Sequence, residues 1–341
     1  MAERGNARAM KTRRLGQSDI SVSAIGIGAM SFSDFYGPTS EAESHAILDT
    51  ALEHGVTHLD TANRYGQGRS ERAIGSYLRA NSAARDRFVI ATKAGISTDA
   101  EGKRCYDNTP VHLEAELDAS LGRMGIEAVD LFYVHRRQQD LPIEEVTETL
   151  GRLVAKGKAR TIGFSEIAPS SVRRAQAVHP VAAVQSEYSL ATRLPELGLV
   201  QTCAELGTSL VAFSPVGRSL LTDSPIGYDA AQELGFLRSN PRFVQPNHAF
   251  NIAATDRLRT LAREMGEPTA ALAVAWLLAQ AEHILPIPGT RSVAHLRELI
   301  RGAELRLSET ELAAIDAALP VGWAHGDRYS EAQSGGPERY C

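Results

Sequence analysis

A carboxylate and a phenol stand close together near the start of the chain. Asp60 follows a short strand pattern at 56–59, and Tyr65 lies in the glycine-containing loop just beyond. Two later strand patterns end in Lys93 and His135. A phenol is a poor acid at neutral pH because its ordinary pKa is about 10, but a neighbouring ammonium stabilises the phenolate and lowers that pKa. The four residues therefore suit proton donation to a carbonyl oxygen, with Asp60 orienting Lys93 and His135 orienting the carbonyl.

Proton donation of this kind needs a reductant, which no side chain of the set supplies. A nicotinamide supplies hydride, and other strand ends carry groups that fit one. Ser165 and Gln185 can hydrogen-bond its carboxamide, and the ring of Phe213 can stack on its face. Near the end of the chain, Gly289-Thr290-Arg291 leads into a helix pattern, whose free backbone N–H groups attract phosphate. Arg291, with His295 nearby, favours the 2′-phosphate of NADPH over NADH.

These residues can act together only if the fold brings the strand ends to one place. Apolar runs alternate with amphipathic helix patterns along most of the chain, which predicts eight strand-then-helix units. The predicted strands lie at 24–28, 56–59, 88–92, 129–134, 160–164, 181–184, 210–213 and 284–287. The pattern predicts a (β/α)8 TIM barrel, in which the carboxyl ends of all strands form one mouth. A doubly wound dinucleotide fold is rejected, because Gly26-Ile27-Gly28 lacks the third glycine of its fingerprint.

The remaining segments extend this barrel. A small hairpin around residues 17–19 precedes the first strand, and helices at 293–300 and 308–319 close the pattern. Ser40 and Ser308 are each followed three residues later by a glutamate, which is the sequence of a capping box. We therefore predict one domain over residues 1–341, with the barrel at about 22–320 and a tail at 321–341. Within the tail, Ser334-Gly335-Gly336-Pro337 is expected to be disordered.

Composition excludes several classes of function. The 341 residues carry a net charge of -5, which argues against nucleic-acid or anionic-membrane binding. No apolar run approaches the roughly 20 residues of a membrane helix. The three cysteines, Cys105, Cys203 and Cys341, are widely spaced and odd in number, so we expect reduced thiols and a cytoplasmic protein. Neither a His-Glu-x-x-His nor a Cys-x-x-Cys motif occurs, and we expect no metal site.

The ordered set of motifs resembles the aldo-keto reductase family, in particular its bacterial branch, over roughly residues 14–328. The motifs are Leu59-Asp60-Thr61-Ala62 with Tyr65-Gly66, Ala91-Thr92-Lys93, Tyr133-Val134-His135-Arg136, Gly163-Phe164-Ser165, Gln185-Ser186-Glu187-Tyr188, Phe213-Ser214-Pro215-Val216-Gly217-Arg218 and Ile287-Pro288-Gly289-Thr290-Arg291. The resemblance implies reduction of a carbonyl by extended NADPH, with Asp60, Tyr65, Lys93 and His135 as the catalytic tetrad. Leu299 departs from the pattern, because many relatives carry an adenine-binding asparagine there.

The resemblance also implies a set of cofactor-binding residues. Ser165, Gln185 and Phe213 would face the nicotinamide, and Ser214, Gly217 and Arg218 would line the pyrophosphate. The full set comprises Met30, Ser165, Gln185, Phe213, Ser214, Pro215, Gly217, Arg218, Gly289, Thr290, Arg291, His295 and Glu298.

The substrate is a small carbonyl compound whose identity the sequence leaves open among small aldehydes, sugar-like ketones and bulkier ketones. Phe35, Tyr36, Arg64 and Trp323 are predicted to line its pocket, and Arg64 suggests polar or anionic groups. No obligate protein partner is expected. The alternative function is a nucleotide-binding regulatory subunit resembling the potassium-channel β subunits, which would show little turnover.

Overall fold

The computed structural model describes residues 10–340. Eight parallel strands form one sheet in which each strand pairs with its neighbours in chain order. Their bounds are Gly26–Gly28, His58–Asp60, Val89–Ala94, Val129–Val134, Ala159–Ser165, Val181–Glu187, Ser209–Phe213 and Ile284–Pro286. The N–H of Gly28 donates to the carbonyl of Pro288 at 2.9 Å, which brings the two edges of the sheet together. The predicted (β/α)8 barrel is confirmed.

Helices surround the barrel on its outside. The eight that follow the strands are Glu41–Glu53, Arg69–Ala80, Pro110–Met124, Ile143–Ala155, Pro169–Gln176, Leu199–Leu206, Thr269–Gln280 and Val293–Glu304. Asn247–Met265 and Glu309–Ala318 are additional helices, and Tyr228–Glu233 and Gly235–Arg238 are short helices between the seventh strand and Asn247. Both predicted capping boxes are present, at Ser40 with Glu43 and at Ser308 with Glu311. Local sequence signals therefore define these helix starts.

An antiparallel hairpin closes the amino-terminal end of the barrel. Its strands, Thr12–Arg14 and Ser21–Ser23, pair directly. Leu15 and Ile20 of the hairpin belong to the same buried cluster as Leu131 and Leu285 of the barrel strands. Burying this apolar surface is favourable, so the hairpin fills the bottom of the barrel and leaves the opposite end open.

Two features of the chain differ from the sequence-based prediction. A second hairpin, Ile96–Thr98 with Arg104–Tyr106, follows the third barrel strand and was not predicted. The prediction that residues 334–337 are disordered is wrong. A Cβ on Gly336 would lie 2.6 Å from the Tyr106 hydroxyl oxygen, so the segment packs closely against this hairpin. It is held by Glu338, whose carboxylate accepts hydrogen bonds from Arg137 and from the N–H of Ala168, each at 2.7 Å.

Two of the three cysteines lie within the described residues. Cys105 and Cys203 are free thiols, and Cys203 is buried, whereas Cys341 lies outside the described residues. Within residues 10–340, none of the helices combines the length and the apolar character that crossing a membrane requires.

Candidate active site

The Lys93 ammonium is the centre of a buried hydrogen-bond cluster at the mouth of the barrel. It donates to the Asp60 carboxylate, to the carbonyl of Thr61 at 2.8 Å and to the hydroxyl oxygen of Tyr65 at 3.3 Å. Lys93 has no solvent exposure, and Asp60 is 1% exposed. An ammonium has three N–H donors, so this contact set uses all of them and fixes the position of the charge.

Backbone pairing places Tyr65 beside Lys93. Asp60 pairs with Ala91 in the sheet, and the chain beyond it continues along the same neighbouring strand. The N–H of Thr61 donates to the carbonyl of Ala91 at 2.9 Å, and the N–H of Asn63 donates to that of Lys93 at 3.1 Å. The loop that carries Tyr65 is therefore an extension of the sheet, and the phenol returns over the Lys93 side chain.

Gln185 is a second side-chain hydrogen-bond partner of Asp60. Its Nε2 donates to the second carboxylate oxygen of Asp60 at 2.8 Å. Ser165, on the preceding strand, accepts a hydrogen bond from Arg136 at 3.0 Å. Both residues line the same cavity as Tyr65. The two polar groups that the sequence assigned to a carboxamide are thus held by protein partners at the mouth.

Burial and neighbouring charges set the protonation states of the cluster. Burial opposes the charge of Lys93, but the Asp60 carboxylate and Tyr65 outweigh it and raise the Lys93 pKa. Burial raises the pKa of Tyr65 and outweighs the opposing effect of Lys93. Lys93 therefore acts on the Tyr65 pKa in the expected direction, but the net shift is upward because burial has the larger effect. Burial, followed by Arg136 and Lys93, lowers the pKa of His135 well below its ordinary value. At neutral pH, Lys93 is charged, Tyr65 keeps its proton and His135 is neutral.

Tyr65 and His135 face each other across the cavity wall. Their ring centroids lie 5.8 Å apart with the rings near perpendicular, at 82°. Because the Tyr65 oxygen accepts from Lys93, its own O–H is free to donate to another group. A neutral imidazole carries one N–H donor. The Nδ1 atom of His135 is buried and finds no partner among the described residues. The pair can present two donors to one carbonyl oxygen.

An elongated cavity of about 1130 Å³ runs from this cluster to the start of the helix Val293–Glu304. This exceeds the roughly 300–1,000 Å³ of ordinary small-ligand pockets. Its wall contains eighteen of the predicted site residues: Met30, Phe35, Tyr36, Asp60, Arg64, Tyr65, His135, Ser165, Gln185, Phe213, Ser214, Pro215, Arg218, Gly289, Thr290, Arg291, His295 and Glu298. Lys93 lies behind Tyr65 and outside the wall.

Besides Lys93, two predicted site residues are not on the cavity wall. The indole N–H of Trp323 donates to the carbonyl of Leu190 at 2.8 Å, and its ring packs in the main core. It stabilises the chain after the last helix and does not contribute to the pocket. Gly217 is buried between two lining residues and has a positive φ of 59°. It shapes the turn and does not itself face the cavity.

The far end of the cavity has the character of an anion site. Ser292 caps the helix Val293–Glu304, and its hydroxyl accepts from the N–H of His295 at 3.4 Å. Arg291 is exposed and donates to the carbonyl of Pro38 at 2.7 Å. Hydroxyl groups, backbone N–H groups and a guanidinium therefore converge where the helix begins, and helix amino-termini bind phosphate readily.

Arg218 lines the cavity, as predicted, and also makes contacts within the protein. Its guanidinium makes two hydrogen bonds to the buried carboxylate of Glu187, at 3.1 and 2.6 Å. It also lies 5.1 Å from the ring centroid of Phe236 and 5.6 Å from that of Tyr329. Since Glu187 already matches its charge, Arg218 acts first as a structural link between the loop after the seventh strand and the carboxyl-terminal segment.

Sequence reasoning missed several residues of the cavity wall. Arg104 comes from the second hairpin, Tyr329 from the carboxyl-terminal segment and Arg136 from the position after His135. Gly102 lies in the hairpin turn with a positive φ of 80°. A glycine at this place in the sequence is typical of a turn and could have indicated the hairpin. Nothing local indicated that the tail crosses the mouth.

An eight-stranded barrel with this buried ion pair, phenol and long cavity at one mouth has the arrangement of a barrel enzyme. The sequence model of the aldo/keto reductase family matches residues 24–320. The fission yeast Schizosaccharomyces pombe protein named aldo-keto reductase yakc [NADP(+)] is 37% identical over 322 residues, covering 93% of this chain and 94% of its own length. Probable aldo-keto reductase 1 of Glycine max is 35% identical over 317 residues, with coverage of 93% and 91%.

A solved structure shows the same architecture. The glycerol dehydrogenase AKR11B4 from Gluconobacter oxydans superposes with a TM-score of 0.79 at 26% identity, covering 92% of this chain and 96% of that one. The chain belongs to the aldo/keto reductase family, whose members are oxidoreductases that use NAD(P)H.

Proposed function

We propose that this protein reduces an aldehyde or ketone to an alcohol with hydride from NADPH, and that Tyr65 donates the proton. The observation that carries the proposal is the contact between the Lys93 ammonium and the Tyr65 hydroxyl, at one end of a cavity of about 1130 Å³ whose lining also includes the start of the helix Val293–Glu304. The family relationship supports the reaction class. The name of the yeast relative supports NADP(H) as the cofactor.

The residues of the cavity fit a nicotinamide dinucleotide. Bound NADPH would supply the hydride that no side chain can provide. Near Tyr65, Ser165 and Gln185 would hold the carboxamide, and the half-buried ring of Phe213 would pack on the nicotinamide. At the far end, the start of the helix Val293–Glu304 and Arg291 would hold the 2′-phosphate. The remaining lining residues would complete the site: Met30, Ser214, Pro215, Gly289, Thr290, His295 and Glu298.

Each residue of the cluster has a distinct task in the proposed reaction. His135, held neutral, donates its N–H to the carbonyl oxygen and orients the substrate. Tyr65 transfers its proton to the same oxygen as negative charge develops there. The Lys93 ammonium stabilises the phenolate that remains, and Asp60 keeps Lys93 charged and in place. In the reverse direction the phenolate accepts the proton of an alcohol, so the same residues serve oxidation.

We further propose that the chain acts as one catalytic domain over residues 1–341 in the cytoplasm. The barrel strands, the carboxyl-terminal segment and the second hairpin all contribute residues to one mouth, and the free thiols of Cys105 and Cys203 suit a reducing compartment.

The test is NADPH consumption by the purified protein with a panel of aldehydes and ketones, together with measurement of the alcohol formed. We expect one alcohol for each NADPH consumed and tighter binding of NADPH than of NADH. Failure to bind either nicotinamide nucleotide at millimolar concentration would overturn the proposal. Binding without reduction of any carbonyl, together with a stoichiometric protein partner, would favour the regulatory alternative.

A further inference from the structure

Three arginines lie at the substrate end of the cavity, next to Tyr65 and His135. Arg64 precedes Tyr65, Arg104 comes from the second hairpin and Arg136 follows His135, and all three line the cavity wall. They also act on one another electrostatically. Partial desolvation lowers the pKa of Arg104, and the positive charges of Arg136 and Arg64 lower it further. Because all three line the wall of the same cavity, we call them the arginine cluster.

None of the three has a carboxylate partner among residues 10–340. The Arg64 side chain makes neither a hydrogen bond nor an ion pair within this range, and the Arg104 guanidinium lies over the ring of Tyr106, 5.6 Å from its centroid. Arg136 donates to the carbonyl of His135, to Ser165 and to Tyr329, all of which are uncharged acceptors. Repulsion among like charges is unfavourable, and an anion bound between them would relieve it.

The carboxylates of the cavity wall do not neutralise this cluster. Asp60 is paired with Lys93. The others lie toward the phosphate end, where Glu43 caps its helix through Ser40 and Asp223 accepts from Thr269. Glu298 stands beside His295 on the last barrel helix. The positive charge next to Tyr65 and His135 is therefore unbalanced by the protein.

Two buried carboxylates near Tyr329 are also already engaged, although Glu166 additionally attracts Arg136. Glu166 pairs with Arg328, and Glu187 pairs with Arg218 and Arg242. Each has an arginine partner other than the members of the arginine cluster. They set the surroundings of the mouth without cancelling its charge.

We propose that the substrates are carbonyl compounds that carry an anionic group, and that Arg64 and Arg104 bind this group while Tyr65 and His135 hold the carbonyl. The inference rests on the proposed reductase function and specifies its substrate class. Aromatic side chains complete the same end of the cavity, with Phe35 in contact with Tyr36 at 4.9 Å and with Phe236 at 5.3 Å between ring centroids. An anionic aromatic aldehyde matches both the charge and this apolar wall.

The test compares 4-carboxybenzaldehyde with its methyl ester, an uncharged aldehyde that has one additional methyl group and a more electron-poor ring. For the wild-type protein with NADPH, we expect kcat/KM for the carboxylate to exceed that for the ester by about tenfold or more. The reason is that a hydrogen bond between an arginine and a carboxylate is stronger than one between an arginine and an uncharged ester. High salt should reduce this ratio, since about 1 M salt shortens the screening length to about 3 Å. A comparison of glyceraldehyde 3-phosphate with glyceraldehyde tests in the same way whether a phosphate group on the substrate raises kcat/KM.

Variants assign the preference to particular residues. Arg64→Met and Arg104→Met should each lower the ratio by about fivefold, mainly by raising KM for the carboxylate. Arg263→Met is the matched control, because Arg263 is exposed on the helix Asn247–Met265, and its guanidinium donates to the Thr260 hydroxyl and has no carboxylate partner among residues 10–340. It removes the same net charge and should keep the wild-type ratio. A wild-type ratio near one, or an equal fall in the Arg263 variant, would overturn the inference.

A binding measurement separates this inference from the proposed function. Titration calorimetry of benzoate into the protein with NADP⁺ should show binding that weakens about fivefold in the Arg64 and Arg104 variants but not in the control. If the wild-type protein reduces no carbonyl but binds benzoate in this way, the reductase proposal fails and the anion site stands. If neutral carbonyls are reduced and benzoate does not bind, the reductase proposal stands and the anion site fails.

Discussion

Replacement of Lys93 by methionine separates the structural effect of the buried ion pair from its chemical effect. Methionine keeps most of the side-chain volume and removes the ammonium. Asp60, which is 1% exposed, then keeps only Gln185 as a side-chain partner. Leaving one buried charge without its counter-ion lowers the free energy of unfolding by about 3–5 kcal/mol. Turnover should fall by about 10²–10⁴-fold, because Tyr65 loses the group that stabilises its phenolate.

The double variant Asp60→Asn with Lys93→Met distinguishes the two effects. Removing both charges leaves no uncompensated ion, so stability should recover most of the loss. Turnover should stay as low as in the single variant. Urea unfolding measures stability, and NADPH consumption with a fixed aldehyde measures turnover.

The matched control is Lys158→Met on the surface. Lys158 pairs with Glu114 and Asp118 and is a quarter exposed. Its loss should reduce stability by about 0–1 kcal/mol and leave turnover unchanged. Recovery of turnover in the double variant would refute the assigned role of Lys93, as would near-normal turnover in the single variant.

Three further results are expected. Arg291→Met should raise the Kd for NADPH about tenfold and the Kd for NADH less than about twofold, since the guanidinium is proposed to contact the 2′-phosphate. Fluorescence titrations measure both constants, and an equal loss of affinity for the two nucleotides would contradict this. Burial lowers the pKa of His58 to about 4, and neither ring nitrogen has a partner in the described structure. The unfolded chain therefore binds this proton first as pH falls, and stability is lost from about pH 6.5 toward pH 4, by about 3 kcal/mol at most. His58→Leu should lack that loss in urea unfolding, and identical pH dependence in both proteins would argue against it. Turnover should show no inflection near about pH 6.5, because the His135 pKa lies well below its ordinary value. It should decline only in alkaline solution, where Tyr65 loses its proton. A step near about pH 6.5 would contradict this, because it would show that His135 titrates there.

The sequence was sufficient to predict which residues lie at the strand ends. It was not sufficient to predict which residues from other segments lie over the mouth of the barrel. Asp60, His135 and Gln185 were found because a barrel places every strand end at one mouth, so position along the chain predicts position in space. Tyr329 approaches the same mouth from a segment far along the chain. Its placement depends on tertiary contacts such as those of Glu338 with Arg137, which leave no periodic signal.

The sequence also did not predict which charged side chains pair with each other. Arg218 lies in a motif that suggested phosphate binding, yet its partner is Glu187 on the neighbouring strand. The net raised pKa of Tyr65 has a similar origin, because desolvation depends on how completely the phenol is enclosed. Trp323 was assigned to the pocket by residue type alone, and packing places its ring in the core.

The most direct measurement of the proposed mechanism compares wild type with Tyr65→Phe for NADPH binding and for turnover in the same preparation. The variant removes one oxygen and keeps the ring that faces His135. Turnover should fall by about 10²–10⁴-fold while the Kd for NADPH stays within a few-fold of wild type. Wild-type turnover in Tyr65→Phe would contradict the account, because another group would then be the proton donor.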